Sequence, residues 1–180
     1  IPAEVEYGSK IYKVTEIGYN AFNGCQNLES VKIPDTVNKL WIASFSRCKK
    51  LSNIELSKSI KALDYSTFRY CPSLLRIDLT YLDFGLAIPI DVFGFARGKP
   101  SVIEEIVLQQ HPREGYAYDG LTSLRRLYLR QPEPPQPELI IFEDEVYEKA
   151  TLYVPEGSVE KYKADQRWGR FANIMAESSG

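Results

Sequence analysis

The chain is poor in the residues on which most catalytic and metal sites depend. It has one histidine, His111, together with three cysteines and one methionine among 180 residues. Histidine is the commonest general base and metal ligand, so histidine-dependent catalysis would have to use that single residue. Long hydrophobic runs are missing too, because no stretch approaches the roughly 20 apolar residues of a membrane-spanning helix. We therefore expect no membrane insertion within this segment, and no signal peptide is recognisable in it.

Neither sign of charge is in excess. Lys and Arg total 22 and Asp and Glu total 24, which gives a net charge of -2 and a pI near 5.6. Binding to nucleic acid by bulk charge needs a clustered basic surface, so we expect no nucleic-acid partner. With 44% hydrophobic and 26% charged residues, the composition is that of an ordinary folded domain. A chain of this length buries about 70% of the surface that its unfolded form exposes, so it needs neither a metal nor disulfides to be stable. We predict no metal site and no cofactor.

A repeat of 23 residues dominates the first half of the chain. Segments that start at Val14, Val37 and Ile60 align without gaps, and these starting positions are 23 residues apart. A unit this short cannot bury its own apolar face, so successive copies must stack and cover one another. Seven columns are apolar in all three copies: Val14/Val37/Ile60, Ile17/Leu40/Leu63, Phe22/Phe45/Phe68, Cys25/Cys48/Cys71, Leu28/Leu51/Leu74, Val31/Ile54/Ile77 and Ile33/Leu56/Leu79.

Each copy ends in a pattern typical of a short strand. Its last two apolar residues are two positions apart, so they face the same side, and the residue between them faces the other. The earlier part of each copy fits a turn or a short helical arc. The paired strand positions recur later in the chain, with insertions between them, and predict six strands on one face: 31 and 33, 54 and 56, 77 and 79, 106 and 108, 127 and 129, and 152 and 154.

The repeat resembles the BspA-like leucine-rich repeats of bacterial surface proteins. Their unit has Ala-Phe, Cys, Leu and a final Ile-x-Ile-Pro at fixed spacing, and residues 17–34 match it nearly in full. The segment 151–174 is also similar to the usual end of that family, with a short helical run over 159–164 followed by Trp168. The resemblance is tight over residues 14–79 and loose over 101–174.

The resemblance implies an extracellular or cell-surface protein of host-associated or commensal bacteria. It implies a role in adhesion, co-aggregation or the binding of host matrix proteins, without enzymatic activity. The implied partner is a protein, either of the host matrix or of another bacterial surface, and a glycan is the less favoured alternative.

The repeat and the resemblance together predict an α/β fold. We expect a right-handed leucine-rich-repeat solenoid with a parallel β-sheet on its concave face and short helical or irregular arcs opposite. Trp168, Phe171 and Ile174 are expected to cover the last coil within a C-terminal helical cap. The prediction is a single domain, 1–180, with five parts: a hairpin and the remnant of a preceding coil (1–13), three regular repeats (14–82), irregular repeats (83–130), a proline-rich insertion (131–150), and the last coil with the cap (151–180).

The N-terminus has its own pattern. Residues 5–14 alternate about the Gly-Ser pair at 8–9, which predicts a β-hairpin. Ile1-Pro2 is similar to the strand end at 33–34, as though the front of a preceding coil were missing. Solenoid ends normally carry a polar cap and none is visible here, so we expect the natural protein to be longer than these residues.

The cysteine column suggests a metal site but has a simpler interpretation. Three thiols at fixed spacing could ligate zinc, yet a repeat column separates its members by about 5 Å or more. The spacing favours buried thiols that pack as small hydrophobes, without disulfides.

Three further groups of residues could each have a functional role, but each also has a simpler structural interpretation. His111 could act as a general base with Cys71 or a serine, but an exposed loop histidine is favoured. The carboxylates at 143–145 suit calcium, but they lack the ligand pattern of a known calcium loop, which favours a solvated acidic turn. The proline run 131–137 is either an extended ligand for an aromatic groove or, more simply, a stiff spacer.

The outward columns of the predicted sheet are the candidate binding surface. Column neighbours in a parallel stack lie about 5 Å apart, so opposite charges in them can form ladders. Tyrosine and arginine are enriched at interface hot spots, which favours a docking surface. The simpler alternative is that the charges neutralise one another for solubility. The candidate ligand-binding residues are Lys32, Glu55, Asp78, Arg76, Glu105, Arg126, Tyr128 and Tyr153.

We therefore expect a non-catalytic protein-binding or adhesion module that binds its ligand across the concave sheet. The alternative is a structural spacer in a larger envelope protein, with no specific ligand. A hydrolase that uses His111 is the remote alternative.

Overall fold

The computed structural model of the chain describes residues 1–61, 63–82, 92–93, 101–109, 120–136 and 142–178. These residues form a β-solenoid of about six turns with few helices around one apolar core. Its elements are β1 (Glu4–Tyr7), β2 (Lys10–Lys13), β3 (Glu16–Ile17), β4 (Ser30–Lys32), β5 (Lys39–Leu40), β6 (Asn53–Glu55), β7 (Arg76–Asp78), β8 (Glu105–Leu108), β9 (Arg126–Leu129), α1 (Asp144–Lys149), β10 (Thr151–Val154), α2 (Val159–Ala164), a 3-10 helix (Trp168–Arg170) and β11 (Asn173–Ala176).

Strands from successive coils lie side by side and parallel, as the repeat predicts. β4 pairs with β6, so Val31 lies beside Ile54. A five-stranded parallel sheet follows in the order β7-β8-β9-β10-β11, with Ile77 in register with Ile106. All six predicted strands are present, and β11 adds a seventh within the segment predicted to be a helical cap. The right-handed winding, the concave curvature and the role of the cap stay predictions.

The sheet is interrupted once among the described residues. No ladder joins β6 to β7, although these strands belong to consecutive regular copies. Hydrogen bonds between the turns of the same two copies remain, such as Phe45 N–H to the carbonyl of Thr67 at 3.0 Å. The second and third copies are therefore joined by their turns and by the core rather than by the sheet.

The first part of each regular copy forms an irregular arc. β3 pairs with β5, and a single bridge extends this short row into the third copy. The turns that follow are linked from copy to copy by backbone hydrogen bonds, such as Phe22 N–H to the carbonyl of Ser44 at 2.8 Å. Each arc is thus stabilised by its neighbour.

Two columns of the turns have left-handed backbone conformation in every regular copy. Their φ angles lie between 56° and 76°, a region in which a non-glycine residue costs roughly 1–2 kcal/mol. Only one of the six residues is glycine. The hydrogen bonds between copies therefore impose a turn that the local sequence does not favour. The residues are Asn20/Ala43/Ser66 and Gly24/Arg47/Tyr70.

A stack of phenylalanine rings runs through the core of the regular copies. The ring centroids of Phe22 and Phe45 are 5.0 Å apart, and those of Phe45 and Phe68 are 5.9 Å apart. Phe93 continues the stack at 6.1 Å, beyond the three copies that align in the sequence. The phenylalanine column therefore extends into the fourth coil.

Burial along the cysteine column depends on whether a coil is covered on both sides. Cys48 and Cys71 are buried, whereas Cys25 of the first copy is exposed. Phe22 in the same copy is only half-buried, although Phe45 is fully buried. The prediction of a buried thiol is therefore wrong for Cys25, because no described coil covers the outer side of the first copy.

β1 and β2 form the antiparallel hairpin predicted for the N-terminus. All eight of its residues are exposed. The amino group of Ile1 donates to the carbonyl of Lys32 at 3.1 Å, and Ile33 N–H makes the same contact with the carbonyl of Glu55 one coil later, at 2.9 Å. Ile1 thus takes the strand position of a coil ahead of the first copy.

Aromatic side chains fix the C-terminal segment. The hydroxyl of Tyr162 donates to the carbonyl of Gln131 at 2.8 Å, and the indole N–H of Trp168 donates to the carbonyl of Pro135 at 2.9 Å. Both rings are fully buried. The described part of the proline run, residues 131–136, therefore packs against this segment, and its role as a stiff spacer or as a ligand stays a prediction.

Candidate binding face

The sheet presents alternate side chains to the core and to the outside. We call the outward side chains of β4 and of β6 to β11 the sheet face. The eight predicted ligand-binding residues all lie on this face, but the break between β6 and β7 separates Lys32 and Glu55 from the other six. The outward columns are Ser30/Asn53 and Lys32/Glu55 on one side of the break, and Arg76/Glu105/Arg126/Thr151/Asn173 and Asp78/Val107/Tyr128/Tyr153/Met175 on the other.

Lys32 and Glu55 form the predicted ion pair on β4 and β6. Lys32 Nζ is 2.7 Å from Glu55 Oε2, and the two side chains are 77% and 57% exposed. The hydrogen bond and the negative charge of Glu55 raise the pKa of Lys32. Because water screens such an exposed pair, it adds little to stability.

Glu105 lies between two arginines. One of its carboxylate oxygens accepts a hydrogen bond from Arg76 Nε and the other accepts one from Arg126 Nε, the latter at 2.6 Å. The Glu105 side chain is only 13% exposed. Burial raises the pKa of Glu105, but the hydrogen bonds from Arg126 and Arg76 and their charges outweigh burial, so the pKa is lowered. The predicted ladder is therefore present, with two cations sharing one anion.

Tyr128 and Tyr153 stack on each other across β9 and β10. Their ring centroids are 4.6 Å apart and their planes differ by 11°. Met175 is in register beside Tyr153 and is 53% exposed. Burial, followed by the negative charge of Glu105, raises the pKa of Tyr128, so its hydroxyl stays protonated at neutral pH. The stack is the largest aromatic feature of the sheet face.

The outward column is not open along its whole length. Val107 lies between Asp78 and Tyr128 in that column, yet it is only 2% exposed and does not belong to the main core cluster. The alternation of the strand predicts the direction of a side chain but not whether another part of the chain covers it. Val107 therefore offers no surface to a ligand, although its column faces outward.

Arg130 and Glu177 are a further pair beside the sheet face that the sequence reasoning did not identify. Arg130 Nη2 is 2.7 Å from Glu177 Oε1, and Arg130 Nε contacts both carboxylate oxygens at 3.0 and 3.1 Å. Arg130 directly follows the inward Leu129, so the period of two already predicts an outward side chain there. The partner was unpredictable because it is 47 residues away.

Among the described residues, the three cysteines form neither a disulfide nor a metal site. The Cys71 thiol donates to the carbonyl of Phe45 at 3.2 Å, and the Cys48 thiol donates to that of Phe22 at 3.1 Å. The neighbouring Cys48 thiol, together with burial, raises the pKa of Cys71, which stays protonated. Within the described ranges, no group of three or more His, Cys, Asp or Glu side chains could hold a metal ion.

The carboxylates of the predicted acidic turn each have another partner. Glu143 accepts a hydrogen bond from Gly120 N–H at 2.8 Å, Asp144 accepts one from Arg170 at 3.0 Å, and Glu145 pairs with Lys149 one helical turn away. Asp144 and Glu145 lie in the first turn of α1 rather than in a loop.

His111 lies outside the described residues. The structure therefore does not test the hypothesis of a hydrolase that uses His111. In the part of the chain that is described, no helix has the length and apolar character needed to span a bilayer.

The regular copies match a known family model. The model of the BspA type leucine rich repeat region (6 copies) matches residues 9–84. The six copies belong to the family description, and the matched residues here contain the three 23-residue repeats. No match is found among curated proteins.

Two solved structures are similar to the chain. One is a leucine rich cell surface protein from Faecalibacterium prausnitzii A2-165, with 24% identity and a TM-score of 0.41 over 93% of this chain and 31% of that one. The other is a leucine-rich repeat protein from Bacteroides ovatus ATCC 8483, with 16% identity and a TM-score of 0.43 over 98% and 58%. The chain spans less than two thirds of either protein. Residues 9–84 thus match the BspA-type leucine-rich repeat family.

Proposed function

We propose that the chain is a non-catalytic module that binds a protein through the sheet face, within a secreted or cell-surface bacterial protein. One observation carries the proposal: Tyr128 and Tyr153 form a stacked pair with the exposed Met175 beside it and Arg126 on the neighbouring column. Tyrosine, methionine and arginine are the residue types enriched at protein interfaces. The family and the printed description of the Faecalibacterium protein support the surface location.

The stacking favours a protein over a glycan as partner. Each tyrosine ring already uses one face for its neighbour, so less aromatic surface is left for a flat sugar ring. The remaining ring surface and the flexible thioether of Met175 suit an irregular apolar surface instead. Protein ligands of the host matrix or of other bacterial surfaces are therefore the first to test.

The test is a binding panel on the immobilised chain. Host matrix proteins and bacterial surface proteins are passed over the wild type, Tyr128→Ala and Arg126→Ala, with thermal melting to check folding. A hot-spot tyrosine contributes at least about 2 kcal/mol, so Tyr128→Ala should weaken binding by roughly 30-fold or more. Lys10→Ala is the control, because Lys10 is exposed in the N-terminal hairpin, outside the sheet face. Equal binding by Tyr128→Ala and the wild type would rule out this face.

A structural spacer is the second candidate function. It is favoured by the way in which charges on the sheet face neutralise one another, as Glu105 does between Arg76 and Arg126. A spacer predicts no binding to any member of the panel. It also predicts that Tyr128→Ala changes only the free energy of unfolding.

A further inference from the structure

The balanced net charge of the chain conceals a local separation of charge. Residues 36–54 contain no Asp or Glu, and neither do residues 65–77. The first stretch includes the turn of the second copy, where Arg47, Lys49 and Lys50 follow one another within four positions. We call these three residues the basic ridge.

The basic ridge is exposed and has no anionic partner among the described residues. All three side chains are on the surface, while Cys48 between them is buried and its thiol donates to a carbonyl of the first copy. No described carboxylate lies within 4 Å of their charged groups. Eight other Lys and Arg residues do form such ion pairs: Lys32, Arg76, Arg126, Arg130, Lys149, Lys161, Lys163 and Arg170.

The backbone of the ridge is fixed by the stacking of the copies. Arg47 has a φ of 60° and its N–H donates to the carbonyl of Arg69 at 2.7 Å. The guanidinium groups of Arg47 and Arg69 are 5.8 and 5.0 Å from the ring centroid of Tyr70. The fixed backbone and the contacts with Tyr70 therefore hold the positive charges of Arg47 and Arg69 close together, although like charges repel.

We propose that the basic ridge binds a polyanionic polysaccharide, that is, a chain carrying sulfate or carboxylate groups. The ridge consists of three cationic side chains, whereas the centre of a stable protein interface is largely apolar and depleted of charge. A flexible polyanion needs no such apolar centre, because releasing its counterions at each cationic contact supplies the affinity. The ridge is a different surface from the sheet face and does not depend on it.

Nucleic acid fits the ridge less well than a polysaccharide. Single-stranded nucleic acid gains affinity by stacking its bases on aromatic rings. Tyr70, the tyrosine beside the ridge, is already engaged by two guanidinium groups, so a base would have to displace a cation. A sulfated or carboxylated polysaccharide needs only the cations.

The experiment measures binding of the chain to heparin, used as the probe, at 50 and 200 mM salt. Three counterion-releasing contacts predict that wild-type affinity falls about 20- to 40-fold over this range. The ridge variant carries Arg47→Asn, Lys49→Gln and Lys50→Gln, with asparagine chosen because it tolerates positive φ. We expect it to bind at least tenfold more weakly at 50 mM salt and with a flatter salt dependence.

A second variant separates the ridge from net charge. Lys10→Gln, Lys13→Gln and Lys61→Gln remove the same three charges from exposed positions elsewhere, and heparin binding should change less than twofold. Equal losses in both variants would overturn the proposal, and so would tighter binding of polyglutamate or of a thymidine oligonucleotide. If the triple ridge variant fails to fold, Lys49→Gln with Lys50→Gln serves instead. Tyr128→Ala should leave heparin binding unchanged, which keeps this test separate from that of the sheet face.

Discussion

The regular copies and the coils after them keep the same strand register by different means. In residues 14–82 the same apolar columns recur, and Phe22, Phe45 and Phe68 stack ring on ring. In residues 120–136 and 142–178 only part of this pattern recurs, mainly the paired strand positions, and buried aromatic side chains with specific hydrogen bonds hold the segment that follows the last coil. A repeat can therefore lose its sequence regularity and keep its strands aligned, provided that other contacts replace the lost columns.

The largest loss of stability is expected when a ring is removed from the phenylalanine stack. Phe45 is fully buried between two rings, so Phe45→Ala should lower the free energy of unfolding by about 3–5 kcal/mol. Phe22→Ala should lower the free energy of unfolding by clearly less, because Phe22 is only half-buried. Chemical denaturation of both variants checks this. Equal losses would mean that the first copy is covered as completely as the second.

The C-terminal segment should depend on single hydrogen bonds. Tyr162→Phe removes the hydroxyl that donates to the carbonyl of Gln131, and it should cost about 0.5–1.5 kcal/mol in the free energy of unfolding. Tyr19→Phe, in the regular copies, is the matched control and should change stability by less than about 0.5 kcal/mol, because Tyr19 is 65% exposed. Urea titration of both variants would contradict the comparison if Tyr19→Phe were the more destabilised.

The smallest effect should be a gain in stability from a substitution in the left-handed turns. Ala43 has a φ of 56°, so Ala43→Gly relieves a conformational cost and should stabilise the chain by up to about 1 kcal/mol after the loss of chain entropy. Ala21→Gly, at an exposed position not among the positive-φ residues, should instead destabilise by a few tenths to about 1 kcal/mol. The two changes in melting temperature should therefore have opposite signs, and the same sign would contradict the turn geometry.

The strands could be predicted because two periods coincide in them. Val31, Ile54 and Ile77 repeat every 23 residues, and each has an apolar partner two positions on, so both stacking and direction follow from the sequence. The left-handed turns could not be predicted, because Arg47 and Tyr70 give no local signal for positive φ. Their conformation is imposed by the neighbouring copy.

Which candidate residues lie next to one another could be predicted in part, because strand register follows from the repeat. Register alone brings Glu105 to its two arginines and Tyr128 to Tyr153. The burial of Val107 could not be predicted, because the alternation of a strand gives the direction of a side chain and not what covers it. β11 has a single buried residue, Ile174, which is too little pattern to distinguish a strand from a cap.

The gap between β6 and β7 has a mechanical consequence. Three rows of backbone bonds join the first and second copies, at β4–β6, at β3–β5 and at the turns, but at the next step the sheet contributes no ladder among the described residues. A single bridge, the turns and the packed core join the second and third copies instead. Under tension along the stacking axis, this joint should therefore separate before the five-stranded sheet does.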